Sequence, residues 1–460
     1  MRKLTYSCLL LLLFCSLSAT VAASEVYVFP DAAVGLSTIL QNAKSGDVIH
    51  LAAGLYEEEP ELYPILIDRS VTLIGEASTV LNGVPFKPLF QISAPDVTIQ
   101  NIDFRIKRTG ILNTGDRLSV LNCRFFLADE KYRVSSCAIW LAGAKNCTIL
   151  DCNFRQCSVA MAGTPLNEQS QGRPVLTGLF EVGEDPAFFT THTIQGNTIN
   201  DKPLYYFSGE KNVSVPKDAG AVIAAGCESI SITNVDVSSA SMGIELAYCD
   251  GARIENVVAD RGGIFSIYLA YSDDAVLKDI LCRESNHGID IRASRGVALL
   301  NSRTVDCEQG IFLSFATDCI VDSCSVTGGG NGFFVASGAR NQLSGNTIEA
   351  SSNGIYCQWE RDVLVCDNTF LYNSAAGLRF LRSSGQILTN SFLENWVGVL
   401  VAESGPVTIW NNHFDSTQCT GLYLRDVTSG KVSFNTFEHT GLADLEVEGS
   451  LTDTLILKGD

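Results

Sequence analysis

Short runs in which apolar and polar residues alternate dominate the chain from about residue 99 onward. Two clear examples are Gly-Ile-Glu-Leu at 243–246 and Gly-Ile-Asp-Ile at 288–291. An alternation with a period of two residues is typical of β-strands, because successive side chains point to opposite faces. No apolar pattern with a period of 3.6 residues runs through these repeats, which argues against helical repeats.

The strands recur at a nearly constant interval. A small residue followed by an aliphatic or aromatic one marks each repeat, at Gly243, Ser266, Gly288, Gly310, Gly332, Gly354, Gly377, Gly398 and Gly421. The steps between these marks are 21 to 23 residues, a spacing that indicates a solenoid. A second register places an aliphatic residue five positions before a bulky one, as in Ile99 with Phe104 and Ile387 with Phe392. Each coil therefore carries at least two strands joined by a tight corner.

A column of asparagines marks that corner, at Asn346, Asn368, Asn390, Asn412 and Asn435. Asparagine tolerates the left-handed backbone of a sharp turn, and its amide can hydrogen-bond to the same residue of the next coil. The pattern predicts an all-β fold, a single-stranded right-handed parallel β-helix of about fourteen coils with about 22 residues each. Leucine-rich repeats share the period but require more leucines than this chain has.

The ends of the solenoid and its interruptions divide the chain. Residues 24–76 are expected to form an N-terminal cap and the first coil, with a short amphipathic helix at 36–43 covering the apolar end. The parallel β-helix is expected over 77–460. Its period is broken near 163–190 and 201–220, where loops either shape a binding surface or only decorate the rod. The aromatic run 205–207 is expected to pack or to bind.

Residues 1–23 have the pattern of a secretory signal peptide, with a basic start, an apolar centre and small residues at the end. A secreted, cell-surface or periplasmic location is therefore expected, with no transmembrane segment in the mature chain. The formal net charge of −19 argues against nucleic acid as a partner.

Cysteines outside the leader number fourteen, which permits disulfides in an exported protein. Cys227 and Cys249 lie 22 residues apart, on adjacent coils, so they either form a disulfide or stack as buried free thiols. No Cys or His spacing typical of zinc is present, and three methionines and five histidines do not indicate a soft-metal site. No metal and no cofactor are expected.

The outward residues of the Gly-Ile strands form the candidate functional surface. Aromatic rings can stack on sugar faces, and charged groups can hold hydroxyls or uronate carboxylates. The candidate substrate-binding residues are Tyr268, Asp290, Arg292, Phe312, Tyr356, Trp359 and Arg379. Candidate catalytic or carboxylate-neutralising residues are Asp290, Glu245, Arg292 and Arg379. The alternative is that the aromatics stack only to cover the sheet.

Four stretches carry a family resemblance: 46–56, 71–76, 196–206 and the Gly-Ile repeats. With these the chain resembles the pectin-lyase-like superfamily, and more closely the NosD-like periplasmic copper-binding β-helix proteins. The resemblance implies the fold and an extracytoplasmic location. Among enzymatic relatives, the segment 286–290 is similar to the Asn-Thr-Asp-Gly motif of polygalacturonases, but His287 stands where their catalytic Asp is found.

Two functions follow from this sequence. One is a secreted or cell-surface protein that binds polysaccharide along one face without catalysis. The alternative is a polysaccharide lyase, epimerase or glycoside hydrolase that acts on uronic-acid polymers near Asp290.

Overall fold

The computed structural model describes residues 23–30, 34–161, 185–449 and 455–457. Within these ranges the chain winds into a right-handed parallel β-helix with about 18 turns. Each regular coil contributes a strand to a first, a second and a third sheet, and neighbouring coils pair in register. Among the described residues no parallel pair joins 25–199 to 202–457, so each of the three sheets consists of an N-terminal and a C-terminal part. Most of the predicted leader and residues 163–184 of the first predicted insertion lie outside the described residues.

The first sheet contains the strands that open each coil. Its strands are Glu25–Val28, Val48–Leu51, Thr72–Gly75, Thr98–Gln100, Ser119–Leu121, Thr148–Leu150, Thr193–Gln195, Ser231–Thr233, Ala298–Leu300, Ile320–Asp322, Gln342–Ser344, Val363–Cys366, Gly385–Leu388, Val407–Trp410, Gly430–Ser433 and Leu455–Leu457. Two long strands, Arg253–Asp260 and Val276–Arg283, serve the first and second sheets together.

The second sheet follows one corner later in each coil. Its other strands are Gly54–Tyr56, Thr79–Asn82, Asp103–Ile106, Arg124–Leu127, Asn153–Arg155, Thr198–Ile199, Arg303–Val305, Ser325–Thr327, Thr347–Glu349, Thr369–Leu371, Ser391–Leu393, His413–Asp415 and Thr436–Glu438.

The third sheet carries the Gly-Ile motif. Its strands are Ile65–Ile67, Phe90–Ile92, Thr109–Asn113, Cys137–Leu141, Val159–Ala160, Lys202–Ser208, Ala221–Ala225, Met242–Ala247, Phe265–Ala270, His287–Arg292, Gln309–Ser314, Asn331–Ala336, Asn353–Gln358, Ala376–Leu381, Val397–Ala402, Thr420–Arg425 and Ala443–Glu448. Within the described ranges, four short helices connect strands, at Leu36–Asn42, Pro60–Leu62, Glu130–Ser135 and Ala187–Thr190.

The solenoid is interrupted at residue 200. Thr198–Ile199 pairs antiparallel with Lys202–Pro203, whereas the other strand pairs between described coils are parallel. We call the coils within 25–199 the N-terminal stack and those within 202–457 the C-terminal stack. The strand Ala221–Ala225 lies between the two interiors, because Val222 and Ala224 face the C-terminal core while Ala221, Ile223 and Ala225 pack in the N-terminal core.

The fold class is confirmed, but the predicted number of about fourteen coils is wrong. Coils begin at Glu25–Val28, before the cap helix, where the Gly-Ile mark is absent. The predicted interruption at 201–220 includes Lys202–Ser208, a strand of the third sheet with parallel partners in Ala221–Ala225. The predicted cap helix is present at Leu36–Asn42, with Leu36 and Leu40 buried in the N-terminal core.

The asparagine column forms a buried hydrogen-bonded ladder. The Oδ1 atom of each asparagine accepts from both the backbone N and the Nδ2 of the preceding one, at 2.9–3.0 Å from Asn346 through Asn435. The Nδ2 of Asn390 also donates to Val365 O at 3.0 Å. The left-handed corner residue is the one before each ladder position, as at Asp367 and Thr389, and this corrects the predicted role of the asparagines themselves.

The described cysteines are free, and twelve of the fourteen are buried. Several occupy ladder positions: the backbone N of Cys324 donates to Asn346 Oδ1 at 2.9 Å, so that a thiol stands where later coils place an amide. Cys227 and Cys249 are among the buried free thiols, which is the second of the two alternatives for this pair.

Glu360 is a buried carboxylate at the corner that follows the third sheet. Its Oε2 accepts from Gly338 N at 2.8 Å, and its Oε1 accepts from Asn341 Nδ2 at 2.7 Å. Burial nevertheless outweighs these hydrogen bonds and raises the pKa of Glu360 to about 7.

Replacing Asn390 by alanine should lower the free energy of unfolding by about 2–4 kcal/mol, because a buried amide pair and a carbonyl lose their partners. Urea denaturation of Asn390→Ala measures this loss, and Gln386→Ala, an exposed position on the same coil, is the matched control. Equal denaturation midpoints for the two variants would contradict the stabilising role of the ladder.

Glu360 should make stability depend on pH. Because the pKa of Glu360 is higher in the folded than in the unfolded state, protonation of Glu360 stabilises the fold. This contribution is complete below the unfolded pKa and is lost as the pH rises through the folded pKa. The unfolding free energy of the native chain should therefore fall by about 3 kcal/mol between pH 4.5 and 7.5 relative to Glu360→Gln. Glu308→Gln, at an exposed position, serves as control. If the difference in unfolding free energy between the native chain and Glu360→Gln stays constant over this pH range, the raised pKa of Glu360 is refuted.

Candidate functional site

One column of outward side chains crosses the third sheet of the C-terminal stack. Because side chains alternate along a strand, Ile289 and Ile291 fill the core while Asp290 and Arg292 point outward. Strand register aligns the outward positions Tyr268, Asp290, Phe312, Phe334, Tyr356 and Arg379 on successive coils. This column contains five of the predicted site residues.

A buried ion cluster occupies the start of the column. Arg292 Nε lies 2.7 Å from Asp290 Oδ1, and Arg292 Nη2 lies 2.9 Å from Oδ2. His287 Nδ1 lies 2.8 Å from the same Oδ2. Burial alone would raise the pKa of Asp290, but the charge of Arg292 and the hydrogen bonds from His287 and Arg292 outweigh it and hold the pKa below its usual range. Asp290 is therefore a stable carboxylate.

Aromatic rings surround the guanidinium of this cluster. Arg292 Cζ lies 5.7 Å from the ring centroids of Phe265 and Tyr268, and 5.0 Å from that of Phe312. His287 lies 4.9 Å from Phe265, between centroids. Cation–π contacts at these distances stabilise a desolvated arginine, so the rings and the ion pair support one another.

The N-terminal stack packs over this end of the face. Leu112, Trp140 and Ala160, from the outward face of its own third sheet, form an apolar cluster with Phe265 and Tyr268. The two third sheets therefore meet through their outward faces.

Polar contacts join the two stacks at the same interface. Both carboxylate oxygens of Glu245 accept from Met161 N at 3.1 Å, and the Ser158 hydroxyl accepts from Met242 N at 2.8 Å. Arg133 donates to the carbonyls of Gly262 and Glu284 at 2.7 and 2.6 Å. Residues within 133–161 of the N-terminal stack thus contact residues within 242–284 of the C-terminal stack.

Beyond this interface the column is partly exposed. The rings of Phe312 and Phe334 stack with centroids 5.2 Å apart, and Phe334 meets Tyr356 edge to face at 5.2 Å. Arg379 Cζ lies 4.8 Å from the Tyr356 ring centroid. Phe334, Tyr356 and Arg379 are each half-buried, and Trp359, just past the end of its strand, is exposed. We call Phe312, Phe334, Tyr356 and Arg379 the aromatic column.

A second column, of amides, runs beside the aromatic column. Asn331 Nδ2 donates to Gln309 Oε1 and Asn353 Nδ2 donates to Asn331 Oδ1, each at 3.0 Å. Within the described part of the chain, Asn353 Oδ1 and Arg379 Nε have no hydrogen-bond partner. Both atoms are buried, so what the face presents is a row of rings next to a row of half-buried amides.

The structure divides the predicted site residues into two groups. Tyr268, Asp290, Arg292 and Glu245 are buried at or near the interface between the stacks, and Phe312 is 8% exposed at its border. Tyr356, Trp359 and Arg379 lie on the accessible part of the face. Sequence reasoning missed the amide column, although its three members precede the glycine of their motif at intervals of 22 residues.

Comparison with known families gives a match to the periplasmic copper-binding protein (NosD) family over residues 190–376. This segment of the chain is similar to the NosD family. The resemblance predicted from the sequence is thus confirmed, and the matched segment contains the buried ion cluster and most of the accessible face. No curated protein matches the sequence.

Solved structures with a similar fold include two epimerases and one glucanase. The A-module of mannuronan C-5 epimerase AlgE6 from Azotobacter vinelandii is 13% identical, with 92% of this chain and 91% of that chain covered and a TM-score of 0.35. The periplasmic alginate epimerase AlgG is 11% identical, with coverages of 95% and 84% and a TM-score of 0.28. The catalytic domain of a GH87 α-1,3-glucanase in complex with nigerose is 11% identical, with coverages of 95% and 68% and a TM-score of 0.26.

The copper that the family description names has no ligand set in the matched segment. Among the described residues, three His, Cys, Asp or Glu ligand groups converge only at His413, Asp415 and Glu438, outside 190–376. The described part of the matched segment contains one methionine, Met242, which is buried. Within the described ranges, no helix has the length and apolar character that crossing a bilayer requires.

Proposed function

We propose that this NosD-like protein acts outside the cytoplasm and binds polysaccharide along the aromatic column. The observation that carries the proposal is the accessible row of Phe334, Tyr356 and Arg379 beside the amide column. Sugar rings pack their C–H faces on aromatic side chains, and amides hydrogen-bond to hydroxyls. Neighbouring coils are about 4.8 Å apart, so each coil corresponds to about one sugar unit of an extended chain.

Arg379 gives the surface a preference within this class. It is a half-buried cation on a chain with a net charge of −19, so it provides local positive charge in a strongly acidic protein. A guanidinium binds carboxylates in a bidentate manner. We therefore propose uronic-acid polymers as the preferred ligands.

Binding without turnover fits the buried carboxylates better than catalysis does. A lyase, epimerase or hydrolase needs a general acid or base within reach of the substrate. Asp290 is fully buried, both its oxygens are paired, and its pKa is lowered. Glu245 is also fully buried. These are features of a structural ion cluster.

Removing the ring or the cation from the accessible face should weaken binding. Tyr356→Ala should bind alginate and polygalacturonate about 5–10-fold more weakly, because an aromatic contact is worth about 1 kcal/mol. Arg379→Ala should bind these acidic polymers about 10-fold more weakly, whereas its affinity for a neutral glucan should change little. Isothermal titration calorimetry with each polymer measures both effects.

Matched controls are available on other surfaces of the same stack. Tyr372 is 50% exposed just past the second-sheet strand Thr369–Leu371, and Arg303 is exposed on the second-sheet strand Arg303–Val305. Tyr372→Ala and Arg303→Ala should bind like the native chain. An equal loss of affinity in the test and control variants would refute the site. Polymer turnover by the native chain that Asp290→Asn abolishes would establish the enzymatic alternative instead.

A further inference from the structure

A second group of chemically active side chains lies on the second sheet near the C-terminal end, away from the aromatic column. His413 and Asp415 are outward residues of the strand His413–Asp415, and Glu438 is an outward residue of Thr436–Glu438 on the next coil. One ligand atom from each of the three lies within 4.8 Å of the others. Such a spacing allows all three to bind one ion.

The strand register forces two carboxylates together. Asp415 and Glu438 are directly paired neighbours in the parallel ladder, and like charges in that position destabilise a sheet. No Lys or Arg forms a salt bridge with either carboxylate among the described residues. A bound cation would offset this repulsion.

Two imidazoles make this cluster different from an acidic surface patch. His439 Nδ1 lies 3.0 Å from Asp415 Oδ1, and His413 Nδ1 lies 3.0 Å from Thr436 Oγ1. Two of the five histidines in the chain are therefore at this position. The equivalent outward positions one coil earlier are Ser391 and Leu393, so in the described part of the chain the ligand set forms only where the coils of His413 and Glu438 stack.

We propose that His413, Asp415 and Glu438 form a binding site for a borderline divalent cation of the Zn²⁺ type, with His439 as the outer partner that orients Asp415. Imidazole nitrogen with carboxylate oxygen is a donor set that Zn²⁺ accepts, and three protein ligands leave a position for water. Carboxylates that bind a metal are themselves held by hydrogen bonds from outer partners, and His439 is in position to hold Asp415 in this way. A hard cation such as Ca²⁺ would prefer six or more oxygen ligands, which this cluster does not supply.

Titration of the purified, tag-free full chain with Zn²⁺ tests the site. Calorimetry should show one ion per chain, and Zn²⁺ should raise the melting temperature. His413→Ala and Asp415→Asn should each weaken binding by at least about 10-fold. Co²⁺ should give visible d–d absorption that is lost in both variants, a readout independent of stability.

A matched variant separates this site from adventitious binding. His50 is a surface histidine paired with Glu25 at the other end of the protein, and His50→Ala should leave Zn²⁺ affinity unchanged. Equal Zn²⁺ affinity in native chain, His413→Ala and Asp415→Asn would overturn the proposal. Binding of Ca²⁺ as tight as that of Zn²⁺ would also overturn it, since the imidazoles would then contribute nothing.

Discussion

The structure depends on one constraint, which is that every coil buries polar backbone at its corners. A buried N–H without a partner costs about 1–3 kcal/mol, and a solenoid repeats that cost at each turn. Here a side chain of the next coil supplies the partner. In the column from Asn346 to Asn435, one side-chain oxygen accepts from both the backbone N–H and the side-chain amide of the asparagine one coil earlier. Because the ladder requires matching positions on successive coils, it holds the period near 22 residues.

That period places the functional groups. Once coils stack in register, outward residues at equivalent positions form columns, and a column of rings beside a column of amides is the direct result. The same register produces the paired carboxylates of Asp415 and Glu438. The corner ladder and the surface chemistry therefore have one physical origin, the stacking of nearly identical coils.

The break at residue 200 gives the third sheet of the C-terminal stack two different surroundings. Near the break its outward face packs against the N-terminal stack through Trp140, Phe265 and Tyr268, and Asp290 and Arg292 are buried on the neighbouring coil. Farther along, Phe334 and Tyr356 remain partly open. A single sheet thus provides both a structural interface and an accessible surface.

The fold could be predicted because its rules are local: the alternation around Ile289 and the spacing of asparagines are printed in the sequence. The coil count was underestimated because strands such as Glu25–Val28 lack the Gly-Ile mark. The burial of Tyr268 depends on contacts with residues more than 100 positions away, such as Trp140, and the periodicity of the sequence does not reveal such contacts. The convergence of His413 with Glu438 likewise requires the register of two coils.

Hydroxyl-radical footprinting of the full chain tests most directly the claim that the third sheet is sealed at one end and open at the other. Mass spectrometry should find Trp140, Phe265 and Tyr268 protected, while Phe334 and Tyr356 are oxidised. Oxidation of Tyr268 as fast as that of Tyr356 would contradict the account, because it would mean that the two stacks do not pack face to face.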